Sequence, residues 1–241
     1  MEYYYTPKEK VDLENKELII DDFEFSHLTK VLRKRAGERL TITDGERNIY
    51  YCEITKIEKN NLICKILGHE FNIFEPEINV SIYLSPLRNS ARFEFAIEKV
   101  VELGAARIQP VITEFTVNKH SYSRQKIDRL SKIIIGAMGQ SQRCYLPKFH
   151  NAILLTELIT NSIETKNKVV MYESSYDNSK FELDENSNNI LLLIGPEGGF
   201  SKDEIDLLKK NGWQVKSLGE RKLRAETAAI VSLFDLIKNY K

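Results

Sequence analysis

Apolar and polar positions change rhythm once along the chain, near residue 75. Before that point, LTITDGERNIYYCEITKIEKNNLICKIL carries short apolar, β-branched runs interrupted at Asp44-Gly45 and Asn60-Asn61. An Asp-Gly between two such runs predicts a hairpin turn, because its residues tolerate the backbone the turn demands. Ahead of these strands, FSHLTKVLRKRAGE predicts a short helix with Leu28, Val31 and Leu32 on one face, ended at Gly37. One helix among several short strands predicts a small β-barrel domain over residues 1–73.

Beyond Pro76 strands and helices alternate. NVSIYLS and ARIQPVI read as strands around the helix SARFEFAIEKVVELG, whose Phe93, Ile97, Val100 and Leu103 form one stripe and whose end falls at Gly104. SRQKIDRLSKIIIGAMGQ reads as a helix burying Ile127, Leu130, Ile133 and Ala137. KVVMYE and NILLLIG follow as strands, the second a continuous apolar run of the kind found in parallel sheets covered on both faces. SSYDNSKFELDENSNN reads as a polar loop. Together these elements predict an α/β domain with a parallel sheet flanked by helices over residues 74–241.

The candidate chemistry lies at the end of the chain. The strand 190–194 runs into Gly195-Pro196-Glu197-Gly198-Gly199-Phe200, and Ser201 with Glu204 matches a capping box that starts a helix. Asn211-Gly212 ends that helix, Trp213 to Ser217 form a strand, and Leu218-Gly219 open a second loop. The last helix starts near Arg224 and is expected to bury Ala228, Val231, Phe234 and Leu236 or Ile237. Loops at the carboxyl ends of parallel strands are where α/β sheets bind ligands. The first loop is neither GxGxxG nor a Gly-Lys-Ser/Thr P-loop, which excludes those two nucleotide-binding devices. Its glycines serve either a tight turn or close approach to a ligand. Arg221, Lys222 and Arg224 facing Glu220 and Glu226 serve either helix capping with solvated cations or a site.

Charge alters the picture only when it is divided. The 35 basic and 35 acidic residues cancel, yet the net charge is −3 over residues 1–75, +5 over 76–150 and −2 over 151–241. Basic residues gather at Lys30, Arg33, Lys34, Arg35 and Arg39, and again at Lys119, Arg124, Lys126, Arg129, Lys132, Arg143 and Lys148. Such runs fit a solvated face or a phosphate contact. Cys52, Cys64 and Cys144 form no paired framework and fit structural thiols in a reducing cytoplasm. The four histidines show no metal-ligand spacing, so no metal is expected. No uninterrupted apolar stretch reaches membrane-spanning length, and MEYYYTPKEK lacks the pattern of a secretory signal, so neither membrane nor export is expected.

IGPEGGFS followed by LGERKLRAETA resembles the C-terminal signature of the bacterial small-subunit (16S) ribosomal RNA uridine-N3 methyltransferases, the RsmE-like family of the SPOUT class. EKVVELGAARIQPVITEFTV, GQSQRCYLP and HLTKVLRKRAGERLTITDG resemble further segments of that family in order, the last its PUA-like RNA-binding domain. Lys222 and Gln142 depart from its usual pattern. The resemblance implies a trefoil-knotted C-terminal domain that holds S-adenosyl-L-methionine through Ile194, Gly195, Gly198, Gly199, Leu218, Gly219, Leu223, Arg224 and Thr227. It implies transfer of a methyl group to N3 of a uridine in the decoding region of 16S ribosomal RNA on the small subunit. Arg143 and Arg224 would stabilise the developing uracil anion, and Glu226 would orient an arginine or the backbone. Arg33, Lys34, Arg35, Arg124, Arg129 and Arg143 would contact RNA, and the protein would be a cytoplasmic homodimer, with Val231, Phe234 and Leu236 serving either the interface or the core. Two other readings stay open: a knotted methyltransferase acting on transfer RNA or a ribose 2′-hydroxyl, and a non-catalytic RNA-binding assembly factor.

Overall fold

The strand runs of the first third pair into one sheet whose core follows the two-residue period of a strand. The computed structural model describes residues 2–119, 122–175, 179 and 181–239. The chain divides into two units, Met1–Glu75 with Ile135–Leu146, and Pro76–Ile134 with Pro147–Lys241. The first holds β1 (Tyr3–Tyr5), β2 (Val11–Asp12), β3 (Glu17–Asp21), helix α1 (Asp22–Ser26), β4 (Arg39–Thr43), β5 (Asn48–Ile57) and β6 (Asn61–Phe71), in sheet order β1-β4-β5-β6-β3-β2. Leu18 and Ile20, Leu40 and Ile42, Cys52 and Ile54, Leu62 and Cys64 alternate onto one buried face. Beyond β1, the Thr6 amide donates to the Thr43 carbonyl and its hydroxyl to the Ile19 carbonyl of β3, which draws the two ends of the sheet toward closure. The expected turn is built on Asp44, whose carboxylate accepts from the Glu46 amide, the Asn48 side chain and the Tyr50 hydroxyl, with Gly45 at φ +72°.

The helix of this unit departs from the sequence expectation. It starts at Asp22, and from His27 to Val31 it winds as a π-helix before Arg33 at φ +54° stops it short of Gly37. The wider turn changes the angular spacing of side chains. Of Leu28, Val31 and Leu32 only Leu28 is buried in the core, and Val31 is 66% exposed.

The second unit carries β7 (Asn79–Leu84), α2 (Ser90–Glu102), β8 (Arg107–Ile112), the start of α3 (Arg124–Gln140), β9 (Lys148–Phe149), β10 (Ile153–Leu154), α4 (Leu155–Asn161), β11 (Asn167–Met171), β12 (Asn189–Ile194), α5 (Lys202–Lys210), β13 (Gln214–Lys216) and α6 (Ala225–Asn239). Every strand pair is parallel, in the order β10-β8-β7-β12-β11-β13 with β9 beside β8. Tyr83, Leu191 and Leu193 face a cluster with Leu158 of α4 and Ile205 and Leu208 of α5. The alternate residues Ile82 and Leu192 are buried on the opposite side, where α6 packs on β7 and β12. The architecture of this unit is therefore the expected α/β one, a parallel sheet flanked by helices. Of the polar loop 174–189, residues 176–178 and 180 lie outside the described residues. In α6 the buried face is rotated from its sequence expectation: Ala229, Ser232, Leu233 and Leu236 point inward, while Val231 and Phe234 are exposed.

The unit boundary falls at Glu75, and residues 135–146 join the first unit rather than the second. The last turns of α3 fit there because Gly139 has no side chain: a Cβ would lie 2.2 Å from the Tyr3 carbonyl oxygen. α3 then ends in a Schellman turn, with Arg143 N–H donating to Met138 O, Gln142 N–H to Gly139 O, and Gln142 at φ +59°. That turn delivers Arg143 to Glu75. Glu75 Oε2 accepts from Arg143 Nε (3.1 Å) and Nη2 (2.7 Å), and Oε1 accepts from the Cys144 and Tyr145 amides (both 2.9 Å). The two side chains are 2% and 5% exposed. Removing one partner of such a pair strands a buried charge and costs about 3–5 kcal/mol. Glu75→Gln is accordingly expected to lower the urea midpoint steeply, and adding Arg143→Met should recover much of the loss. Equal midpoints for Glu75→Gln and the wild type would show that this carboxylate does not hold the segment.

Candidate functional site

Strand register places the site. Met171 pairs with Ile194 on one side and with Lys216 on the other, so β11, β12 and β13 stop at one level. Their following loops leave together from the carboxyl edge, the edge at which open α/β sheets bind ligands. They enclose a cavity of about 300 Å³. Its walls are apolar, with Met171, Ile194, Leu218, Leu223 and Ala228, and its rim is charged with both signs, with Arg92, Glu173, Glu197, Arg221, Lys222 and Arg224.

The glycines of the first loop do different work. Gly199 turns the chain at φ +72°, its amide donating to the Pro196 carbonyl at 2.9 Å. Gly195 lies under the buried ring of Phe200, and a Cβ there would come within 2.8 Å of it. Gly198 packs on Phe115, at 3.0 Å from a built Cβ, and is absent from the cavity wall. Past Phe200, Ser201 caps α5, and the Glu204 carboxylate returns to the amides of Ser201 (3.0 Å) and Glu114 (2.8 Å). In the second loop Ser217 Oγ bonds both the amide and the carbonyl of Gly219. Gly219 stands at φ +104° with nothing within 4 Å of a built Cβ, so its backbone is open to a ligand.

The structure brings Ile194, Gly195, Gly199, Leu218, Gly219, Leu223 and Arg224 onto one cavity. Gly198 and Thr227 do not reach its wall. Glu226 stands behind it, with an 8% exposed side chain; Oε1 is 3.8 Å from Arg92 Nε and 4.0 Å from Arg224 Nη1. Its Oε2 is buried and has no hydrogen-bond partner among the described residues. Arg143 requires correction: with its guanidinium buried on Glu75 inside the first unit, it is a structural cation and is not displayed to phosphate. Of the other basic candidates, Arg33, Arg35 and Arg124 are exposed, Lys34 pairs with Glu38, and Arg129 is exposed but held in a two-pronged bond to Glu94.

Arg221, which the sequence singled out only as part of a charged cluster, also lines the cavity, and Arg92, Met171, Tyr172 and Glu173 line it without having been singled out. Applying the carboxyl-edge rule to KVVMYE would have found Tyr172 and Glu173. Arg92 carried no local signal, since it depends on Leu84 of β7 pairing with Ile194, across more than a hundred residues. Lys222, which departs from the usual pattern, bonds Glu173 at 2.7 Å and ties the loop after β13 to the loop after β11. The three thiols are buried in the first unit, burial pushing Cys52 and Cys64 up to about 12 and Cys144 to about 11.

Comparison with known proteins places this geometry. Residues 75–236 match the family model described as RNA methyltransferase domain, and residues 20–67 match the RNA methyltransferase PUA domain. The chain is 35% identical over 182 residues to the ribosomal RNA small subunit methyltransferase E of Mesomycoplasma hyopneumoniae, spanning 75% of this chain and 77% of that protein. It is 26% identical to the protein of the same name from Aquifex aeolicus over 100% of both. The crystal structure of the Neisseria gonorrhoeae ribosomal RNA small subunit methyltransferase E bound to S-adenosyl methionine superposes with a TM-score of 0.85 at 28% identity, covering 97% of this chain and 95% of that one.

The glycine geometry can be tested without any ligand. Gly195→Ala forces the Phe200 ring to move inside a packed core, an overpacking that costs about 1–3 kcal/mol. A drop of about 2–4 °C in Tm per kcal/mol is expected, with partial recovery when Phe200→Leu is added. An unchanged Tm would show that the loop yields.

Proposed function

Because this chain belongs to the RNA methyltransferase family, we propose that it transfers the methyl group of S-adenosyl-L-methionine to N3 of a uridine in the decoding region of 16S ribosomal RNA, on the small subunit. The observation that carries the proposal is the convergence of IGPEGGFS and LGERKLRAETA on one cavity, in a chain superposing closely on a cofactor-bound ribosomal RNA methyltransferase. The residues present suit the cofactor. A cavity near 300 Å³ is at the small end of ligand pockets. Ile194, Leu218 and Leu223 offer apolar walls to a flat base, and the open backbone at Gly219 allows close approach. Carboxylates and guanidiniums of the rim match the two charges of an amino acid. When bound, the cofactor supplies a methyl group made electrophilic by its sulfonium.

The chain's own residues then have three tasks. Leu223 and Arg224 bound the mouth at which a nucleobase would enter. Cations at that mouth stabilise the charge that N3 acquires as its proton leaves. Arg33, Lys34, Arg35 and Arg124 offer contacts to backbone flanking a base drawn out of its stack. Val231 and Phe234, exposed on α6, are suited to a homodimer interface. Action on ribosomal subunits would call for a cytoplasmic protein.

Purified protein and labelled cofactor are expected to modify small subunits lacking the mark, and nucleoside mass spectrometry should place the methyl on uracil N3. A ribose methyl, or no transfer to any ribosomal substrate, would overturn the proposal. Arg33→Gln with Arg35→Gln should raise KM for subunits, and the slope of affinity against salt should fall by about 1 for each phosphate contact removed. A slope identical to the wild type would take these residues out of the RNA interface.

A further inference from the structure

We infer that Arg92 is the cation that stabilises the uracil anion during methyl transfer, and that Glu226 is the residue that positions it. The inference rests on the N3-uridine reading above. Its starting point is a contrast between two buried glutamates, each accompanied by arginine. Glu75 is closed, with four donors at 2.7–3.1 Å filling both oxygens. Glu226 is open: Arg92 and Arg224 stand at 3.8 and 4.0 Å from Oε1, and Oε2 has no partner among the described residues. A buried polar atom left unpaired in a folded protein asks for a reason, and looseness before the substrate arrives is a recurrent one at catalytic sites.

The placement of Arg92 fits the role. It sits in the first turn of α2, which Asn89 caps by accepting the Ala91 amide at 2.9 Å, and α2 packs on α6, whose first turn carries Glu226. Its side chain lines the cavity and is 40% exposed, against 69% for Arg224. The less solvated guanidinium acts in the lower dielectric and stabilises a nearby anion more strongly. A guanidinium also presents paired coplanar donors, which match the carbonyl-flanked edge of a uracil better than an ammonium does. The other ionisable groups around it are Arg224 beside Glu226, Glu197, whose Oε1 accepts the Arg88 amide, and, on the cavity rim, Arg221 and the Glu173–Lys222 pair.

The step balances as follows in atoms and charge. The N3–H bond breaks with its electron pair kept by the ring, and the proton passes to water. N3 bonds to the methyl carbon while the carbon–sulfur bond breaks and its electrons go to sulfur, so anion and sulfonium are neutralised together. Arg92 faces the ring while it carries negative charge, and Glu226 holds that guanidinium in place without touching the reacting atoms.

The test uses the full chain with small subunits lacking the mark. Arg92→Ala is expected to lower kcat by about 10²–10³-fold, the loss typical of one donor to a developing anion, with cofactor affinity by titration retained. Its alkaline inflection should move to higher pH, and RNA carrying 5-fluorouridine, whose N3 proton is more acidic, should recover more rate in the variant than in the wild type. Arg92→Lys should fall between the two, and it serves the same comparison if the alanine variant does not fold. Glu226→Gln should shift the pH profile in the same direction with a smaller loss of kcat. An unchanged kcat in Arg92→Ala, or a loss with neither pH displacement nor fluorouridine recovery, would overturn the assignment. Wild-type protein that forms no N3-methyluridine would instead overturn the reading on which it rests.

Discussion

Backbone pairing at Met171, with Ile194 on one side and Lys216 on the other, fixes everything downstream in the second unit. Parallel ladders allow no offset without losing hydrogen bonds, and a slip of one residue would invert every side chain between the two covered faces of the sheet. The strands β11, β12 and β13 must therefore end level, and three loops must share one edge. The cavity needs no dedicated scaffold beyond that. What the loops add is shape: Gly199 and Gly219 take backbone conformations closed to most residues, and Phe200 roots the first loop in the core.

Two buried carboxylates, each beside arginine, stand in opposite states of closure. Desolvating a charge is costly unless donors surround it, and at Glu75 they do. The result is a closed cluster in the first unit, with Arg143 and the two amides after it all donating to a single side chain. At Glu226 the cost of burial is offset only partly, by two guanidiniums that do not close on it. A carboxylate in that condition keeps its arginines nearby while leaving their donors available. The same residue types thus take up two arrangements, and the distances between their atoms, rather than the residue identities, separate them.

Most elements were legible because each depends on local periodicity. The alternation in β4 to β6, the capping box at Ser201 and Glu204, and the glycine stop at Gly104 all act over a few residues. The π-wound turn at His27–Val31 was not legible, since a helical wheel assumes a period the backbone abandons there. The rotation of α6 has a different cause. Val231 and Phe234 are apolar, so hydrophobicity places them inward, yet small Ala229 and Ser232 take the close packing. At the site, the glycine-rich loops announced themselves, whereas Arg92 did not, because its place follows from β7 pairing with β12. The motif that pointed to Arg143 identified a residue of consequence but assigned it the wrong task.

The same distinction governs the charge pattern. The central third of the chain carries a net +5, which on its own suggests a broad basic face. Folding withdraws part of it. Arg143 is buried on Glu75 and Arg129 is bound through two nitrogens to Glu94, while in the first unit Lys34 is tied to Glu38. Exposed Arg33, Arg35 and Arg124 remain among the candidates. Phosphate attraction scales with the cations that can release counterions, not with the number encoded. Under the proposed function this limits nonspecific hold on RNA, and selection of one base then falls to the mouth of the cavity, where the few remaining guanidiniums face the reacting ring.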